Sequence, residues 1–272
     1  MRCAIVAALV AAVLVQLPSP LQMTRLSAQN ASLGTLTGFA RLPADTFAEG
    51  PASGAFLDGG RRTEARFTSQ PIQGFSSIAP AGDGWWWALV DNGFGTKLNS
   101  SDARLRVYRV RPTWREAGGG DGSVDVDAVF VELSDPDRQL PFRITNDNAA
   151  ERILTGADLD PESMVVEGGG GFWIGDEFGP FLLHFDRQGR LLGPPVEAEG
   201  LRSPDHPLVP PADRGRVSEA TVGRSRGFEG LSSLGRASRL LAMLEAGSAS
   251  EGSSATAMFE VDSAQSRFTG RR

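Results

Sequence analysis

The sequence predicts an all-β protein, a β-propeller of four-stranded antiparallel blades that is incomplete in this chain. Three observations carry that expectation. The 272 residues include 33 Gly, 17 Pro and 15 Phe with 40% hydrophobic residues, a turn-rich profile that excludes a coiled coil, a helical repeat array and a disordered acidic tail. Two short apolar strands, joined by a Gly-rich turn and closed by a carboxylate, recur three times along the chain. A further strand follows each pair, and an antiparallel sheet of about four strands repeated along a chain is the sequence sign of a propeller. A β-sandwich built from the same strands is the competing arrangement. The return of carboxylates to equivalent places favours the propeller.

The chain opens with Met1-Arg2, an uninterrupted apolar run over 4–15, Pro18 and Pro20, then Leu26-Ser27-Ala28. A positive start, a short apolar middle and a small residue at the cut predict a secretory signal over 1–28. The run is too short to span a bilayer, so the expectation is an exported protein, periplasmic or extracellular, with no stable membrane anchor after cleavage. The remaining 29–272 are expected to form one propeller domain. Cys3 is the single cysteine and lies in the leader, which excludes disulfides, thiolate catalysis and zinc–cysteine sites from the mature chain. The net charge is −6 and grows more negative when Arg2 and Arg25 leave with the signal. Such a balance argues against a nucleic-acid partner.

Residues 31–67 read as a β-like leading segment, with Phe39, Leu42, Phe47 and Phe56 set among Gly and Pro. The first repeat runs from Gly74-Phe75-Ser76-Ser77-Ile78-Ala79 through a Gly/Asp turn to Trp85-Trp86-Trp87-Ala88-Leu89-Val90-Asp91-Asn92. The second runs from Asp160-Pro161-Glu162-Ser163-Met164-Val165-Val166 through four glycines at 168–171 to Phe172-Trp173-Ile174-Gly175-Asp176-Glu177. The third runs from Gly227-Phe228-Glu229-Gly230-Leu231-Ser232 to Arg239-Leu240-Leu241-Ala242-Met243-Leu244-Glu245. Third strands are expected over 105–110, 181–186 and 258–262, and fourth strands over 126–133 and 191–196. After Asp262 the residues 263–272 hold a turn and at most the start of another strand, so the repeat predicts a chain that stops inside a unit.

Alternation places Phe172, Ile174 and Asp176 on one face of their strand and Trp173 and Glu177 on the other. Strand ends from different blades converge in a propeller, so Asp91, Asp176 or Glu177, and Glu245 are expected to approach one another, with Glu162 and Glu229 beside them. Clustered carboxylates repel, and they relieve the repulsion by holding protons or a hard cation such as Ca²⁺. A metal-assisted or acid–base hydrolytic site follows from that chemistry. The plainer reading of an acid after a strand is a turn former, and it weighs most on Asp91 and Glu245. The Trp85–Trp87 run reads as packing in alternate layers rather than as a stacking platform. His184, alternating with Leu183 and Phe185, is expected to face solvent or an edge. His206 lies in a Pro-rich loop, and no ligand spacing joins the two histidines. Gly223-Arg224-Ser225-Arg226-Gly227 fits the G-x-S-x-G pattern, yet no apolar strand precedes it, no helix is expected after it and no histidine follows. Its arginines, Arg224 and Arg226, are instead candidates to hold an anionic group.

The stretches Leu159-Asp160-Pro161-Glu162-Ser163-Met164, Gly171-Phe172-Trp173-Ile174-Gly175-Asp176-Glu177-Phe178-Gly179-Pro180 and Arg226-Gly227-Phe228-Glu229-Gly230-Leu231-Ser232 resemble the phytase-like domain family. Its members are exported bacterial proteins described as having esterase-like activity. The resemblance implies a β-propeller related in architecture to calcium-dependent alkaline phytases, acting on small-molecule ester or phosphoester substrates. It puts Glu162, Asp176, Glu177 and Glu229 at family motif positions, and it implies further C-terminal blades that this chain lacks. Ser76 departs from the pattern, standing where the later repeats have Glu162 and Glu229. The combined expectation assigns Glu162 and Glu229 to catalysis, Asp91, Asp176, Glu177 and Glu245 to a Ca²⁺ ion, and Arg224 and Arg226 to the substrate. The alternatives are a non-enzymatic propeller that binds a glycan or protein, and a lactonase-type calcium propeller.

Overall fold

A computed structural model describes residues 35–208, 220–235, 238–246 and 256–271. The leader and most of the Pro-rich loop lie outside the described residues. Residues up to Thr37 form one unit, of which 35–37 are described and carry no strand; the second unit, Gly38–Arg272, holds every described strand. No helix occurs among the described residues.

The leading segment supplies β1 (Gly38–Phe39), β2 (Phe47–Ala48) and β3 (Gln70–Pro71), with β2 paired to β3. The first repeat follows as β4 (Phe75–Gly82), β5 (Trp85–Val90) and β6 (Arg106–Pro112). After it, β7 (Arg115–Glu116) turns back to pair with β1, while β8 (Val124–Val126) and β9 (Val131–Glu132) both pair with β6. The second sheet is β10 (Pro161–Val166), β11 (Phe172–Asp176), β12 (Phe181–Phe185) and β13 (Val196–Glu197). The third is β14 (Phe228–Ser233), β15 (Arg239–Leu244), β16 (Met258–Asp262) and β17 (Arg267–Phe268). All three are antiparallel and in sequence order, as expected, and the described strands do not close into a ring of sheets.

Two fourth strands differ from the expectation. The single strand foreseen over 126–133 is broken into β8 and β9, and the one foreseen over 191–196 is only Val196–Glu197. Pro194 and Pro195 lack the N–H groups a ladder requires, which confines pairing to the residues after them.

The second sheet is covered on both faces. In β11 every residue is buried: Phe172 and Ile174 face a core shared with Leu89 and Val107 of the first sheet, while Trp173 faces a core shared with Phe228, Leu240 and Phe259 of the third. Trp87 meets Phe172 edge-on at 5.5 Å across the first of these cores, a favoured aromatic geometry. Trp86 turns the other way, onto a separate core with Ile72, Ala88 and Tyr108, so the Trp run does split between layers. A two-sheet sandwich would leave one face of each sheet outward; here the sheets stack in succession. The first strands of the repeats lie side by side and are tied together, with Met164 N donating to Ser77 Oγ at 3.1 Å and Ser163 Oγ donating to Phe228 O at 3.0 Å.

Candidate functional site

The three first strands share one irregularity. The register of β4 against β5 slips between Phe75 and Ser77, that of β10 against β11 between Pro161 and Ser163, and that of β14 against β15 between Phe228 and Gly230. The residue skipped each time is Ser76, Glu162 or Glu229. A β-bulge frees one residue from the ladder and re-aims its side chain, so the repeat delivers three equivalent side chains that no cross-strand partner claims. The second strands end alike. Asp91 N donates to Gly74 O at 2.9 Å, Glu177 N to Asp160 O at 2.9 Å and Glu245 N to Gly227 O at 3.0 Å. Each unit therefore sets a bulge residue beside a strand-end acid: Ser76 with Asp91, Glu162 with Glu177, Glu229 with Glu245.

Four of these side chains converge with Asp160. Carboxylate oxygens of Asp160, Glu162 and Glu177 lie within 4.8 Å of one another, and so do those of Glu177, Glu229 and Glu245. Glu177 belongs to both groups. It is 4% exposed, and its Oε1 has no hydrogen-bond partner among the described residues. The close approach behind this geometry rests on Gly227, where a Cβ would stand 2.4 Å from the Glu177 Cα and 2.8 Å from its carbonyl oxygen.

Burial dominates the electrostatics. It pushes Glu177 up to about 9, reinforced by hydrogen bonding with Glu229 and by the charges of Asp160, Glu229 and Glu162. Glu162 is pushed up to about 8, chiefly by burial, with the Ser76 hydroxyl pulling the other way through a hydrogen bond. Asp160 rises to about 6 through burial and the charge of Asp91, against the hydrogen bonds it accepts from Asn92 N at 3.2 Å and Asn92 Nδ2 at 2.8 Å. Asp91 is raised too, again by burial. Acids such as Asp160, Glu162 and Glu177, close together and reluctant to ionise, are what a cation site or a proton-transfer site produces.

Of the residues expected here, Glu162, Glu177, Glu229 and Glu245 are brought together. Asp91 and Asp176 lie outside both groups. Asp91 Oδ1 accepts Gly93 N at 2.7 Å. Asp176 is fully buried, with Oδ1 accepting Asp160 N and Oδ2 accepting Gly179 N, both at 2.7 Å; its work is to hold the turn that carries Glu177. Arg226 pairs with Glu245 at 3.2 Å, whereas Arg224 is tied to Asp205. The chain's single lysine, Lys97, donates to Asp205 O at 3.1 Å and sits 5.1 Å from the Phe178 ring. Around Ser225 there is a turn, and the strand β14 rather than a helix follows.

Asp160 was not singled out from the sequence. Its signal was present: it stands where the other repeats have Gly74 and Gly227. His184 also departs from expectation. It is not free toward solvent but stacks on Trp173, ring centroids 4.5 Å apart, and its Nε2 meets Glu167 Oε2 at 2.9 Å. Direct pairing of Trp173 with His184 across β11 and β12 puts them on one face, which alternation within one strand cannot reveal.

Among known proteins, the phytase-like family, described as esterase-like activity of phytase, matches residues 70–272. A stretch of 60 residues is 37% identical to an uncharacterized secreted protein of Arthroderma benhamiae, covering 22% of this chain and 10% of that protein. No solved structure matches the chain significantly. The matched span contains all three bulges and every carboxylate of the two groups, and the chain belongs to the phytase-like family.

Proposed function

We propose that the protein is an exported hydrolase of ester or phosphoester substrates, assisted by a calcium ion, and that its three successive sheets are blades of a β-propeller. The observation that carries this reading is Glu177, a buried carboxylate with an unpartnered oxygen, shared by two groups of acids that cannot all ionise unaided. Export is supported by the leader pattern and by the name of the secreted relative. Among the described residues, no helix is long and apolar enough to cross a membrane.

The donor set fits a hard divalent cation: every ligand atom is a carboxylate oxygen, and water fills the rest of such a shell. Glu177, Glu229 and Glu245, one of the two groups, would hold it. When bound, the ion supplies positive charge beside a carbonyl or phosphoryl oxygen. Glu162 then serves as general base toward water, and Asp160, fixed by Asn92, orients it. Arg226, half-exposed beside Glu245, offers a fork of donors to an anionic part of the substrate. The test is hydrolysis of p-nitrophenyl acetate and p-nitrophenyl phosphate by the purified full chain, with calcium and with chelator. Calcium-dependent release of p-nitrophenol from at least one substrate is expected. Release from neither, or release indifferent to calcium and to Glu177→Gln, defeats the proposal.

A further inference from the structure

We propose that His206 is a positioning residue for Glu177: its buried, neutral ring latches the segment 203–208 onto the turn 177–180, and protonation of the ring releases both. This rests on the reading above for the role of Glu177 and adds a control of that site by acid.

The segment is fastened to the turn at its first residue. Ser203 Oγ donates to Phe178 O at 2.5 Å, and Ser203 N donates to Gly179 O at 3.0 Å. Phe178 and Gly179 directly follow Glu177, so the segment braces the main chain that presents the shared carboxylate. His206 fastens the rest. Its N donates to Ser203 O at 3.2 Å, its Nδ1 accepts Leu208 N at 3.0 Å, and its ring meets that of Phe181 with centroids 5.2 Å apart. Phe181 opens β12 directly opposite Asp176, so serine and imidazole grip the same turn from two places.

The ring can serve as this latch only while neutral. Nδ1 accepts a main-chain N–H, so the one ring proton sits on Nε2. His206 is 2% exposed, and Nε2 has no hydrogen-bond partner among the described residues. A second proton has to go on Nδ1, where it faces the Leu208 N–H, donor against donor. The surroundings offer the resulting cation little. Glu197 on β13 brings a half-exposed carboxylate to 4.0 Å from Nε2 and favours the charge. Arg202 and Lys97 oppose it. The adjacent Asp205 is already engaged, its carboxylate by Arg224 and its carbonyl by Lys97. Burial outweighs Glu197 and pushes the ring below its usual 6.5. Once released into water the ring returns to the ordinary value. Below that value the open form binds more protons than the closed one, so the latch weakens as pH falls, by up to about tenfold per pH unit.

The chain has two histidines, so a proton–nitrogen correlation spectrum of the imidazole rings follows His206 directly. The experiment takes the full chain in chelator and titrates it while hydrogen exchange, corrected for intrinsic rates, reads peptides spanning 176–181 and 201–208. His206 should begin as the Nε2–H tautomer and titrate below 6.5. Protection of both peptides should fall at least about fivefold between pH 7 and pH 5. His206→Asn keeps an acceptor near the place of Nδ1 without a titrating ring. It should hold its protection over 201–208 and show a smaller fall over 176–181. Glu197→Gln removes the carboxylate beside Nε2 and should lower the titration of the ring further. Calorimetry with calcium chloride should show affinity falling more between pH 7 and pH 5 in wild type than in His206→Asn, since protonation of the carboxylates is common to both. A wild-type ring that titrates at or above 6.5, or an equal acid loss of protection in wild type and His206→Asn, overturns the proposal. Acid release of 201–208 with 176–181 unmoved overturns the link to Glu177. Absence of calcium binding by wild type at either pH overturns the calcium reading of the site, while the exchange result still decides the latch.

Discussion

Asp176→Asn offers a quantitative test of how the buried acids tax the fold. Asp176 has no solvent exposure, and burial pushes it from the usual 3.8 up to about 7 even though two main-chain N–H groups and the charge of Lys97 favour its ionised form. In the unfolded chain it ionises near 3.8. Between there and about 7 the native state keeps the proton that the unfolded state has lost, so stability falls as pH rises through that window and levels off above it. At about 1.4 kcal/mol per pH unit, the rise amounts to about 4 kcal/mol. Asparagine cannot titrate. It keeps one acceptor but turns an NH₂ toward a main-chain N–H, a pH-independent cost of about 1–3 kcal/mol. The variant should therefore be less stable than wild type at pH 4 and equal or more stable at pH 8. Urea unfolding in chelator at both pH values measures this. The drop in unfolding free energy from pH 4 to pH 8 should be smaller in the variant by about 4 kcal/mol. An equal drop in both proteins refutes the reasoning.

Gly227→Ala should destabilise the chain by about 1–3 kcal/mol, because the new Cβ meets main-chain atoms of Glu177 that cannot swing aside; calorimetric titration should also show weaker calcium binding as Glu177 is displaced. Trp173→Ala, which empties a fully buried site between the second and third sheets, should cost about 3–5 kcal/mol by denaturant unfolding. An unfolding midpoint like that of wild type would mean the sheets do not pack there. Arg226→Ala breaks a half-exposed ion pair with Glu245 and should change stability by under about 1 kcal/mol. Its effect should appear as a raised KM for an anionic ester, with KM for a neutral one unchanged.

The strand pairs and their order were readable because each depends on local signals: apolar runs bounded by Gly, and turns such as Glu167–Gly171, where Gly170 adopts φ of +87°. The outer strands were not, since pairing there is limited to two or three residues and two residues have no hydrophobic period to detect. At the site, alternation correctly separated Asp176 from Glu177 but could not choose between them. The choice depends on which residue follows the last ladder pair, and pairing puts Val90, Asp176 and Leu244 at equivalent positions. Asp91, Glu177 and Glu245 are then the equivalents one step on. The link from Asp160 to Asn92 spans 68 residues, and only the stacking of first and second sheets creates it.

The bulges have a consequence for how such a site can change. A side chain inside a ladder is judged twice, by the neighbour across the strand and by the layer it packs into. Ser76, Glu162 and Glu229 escape the first judgement and face the carboxylates instead of a core. Copying a unit copies its bulge, and with it one inward position whose identity can drift while the hydrogen-bonded frame stays put. Serine at one such position and glutamate at the other two show the same frame carrying either. The same freedom makes these three positions the places to exchange reactive groups by design, since a new side chain there asks little of the sheet that carries it.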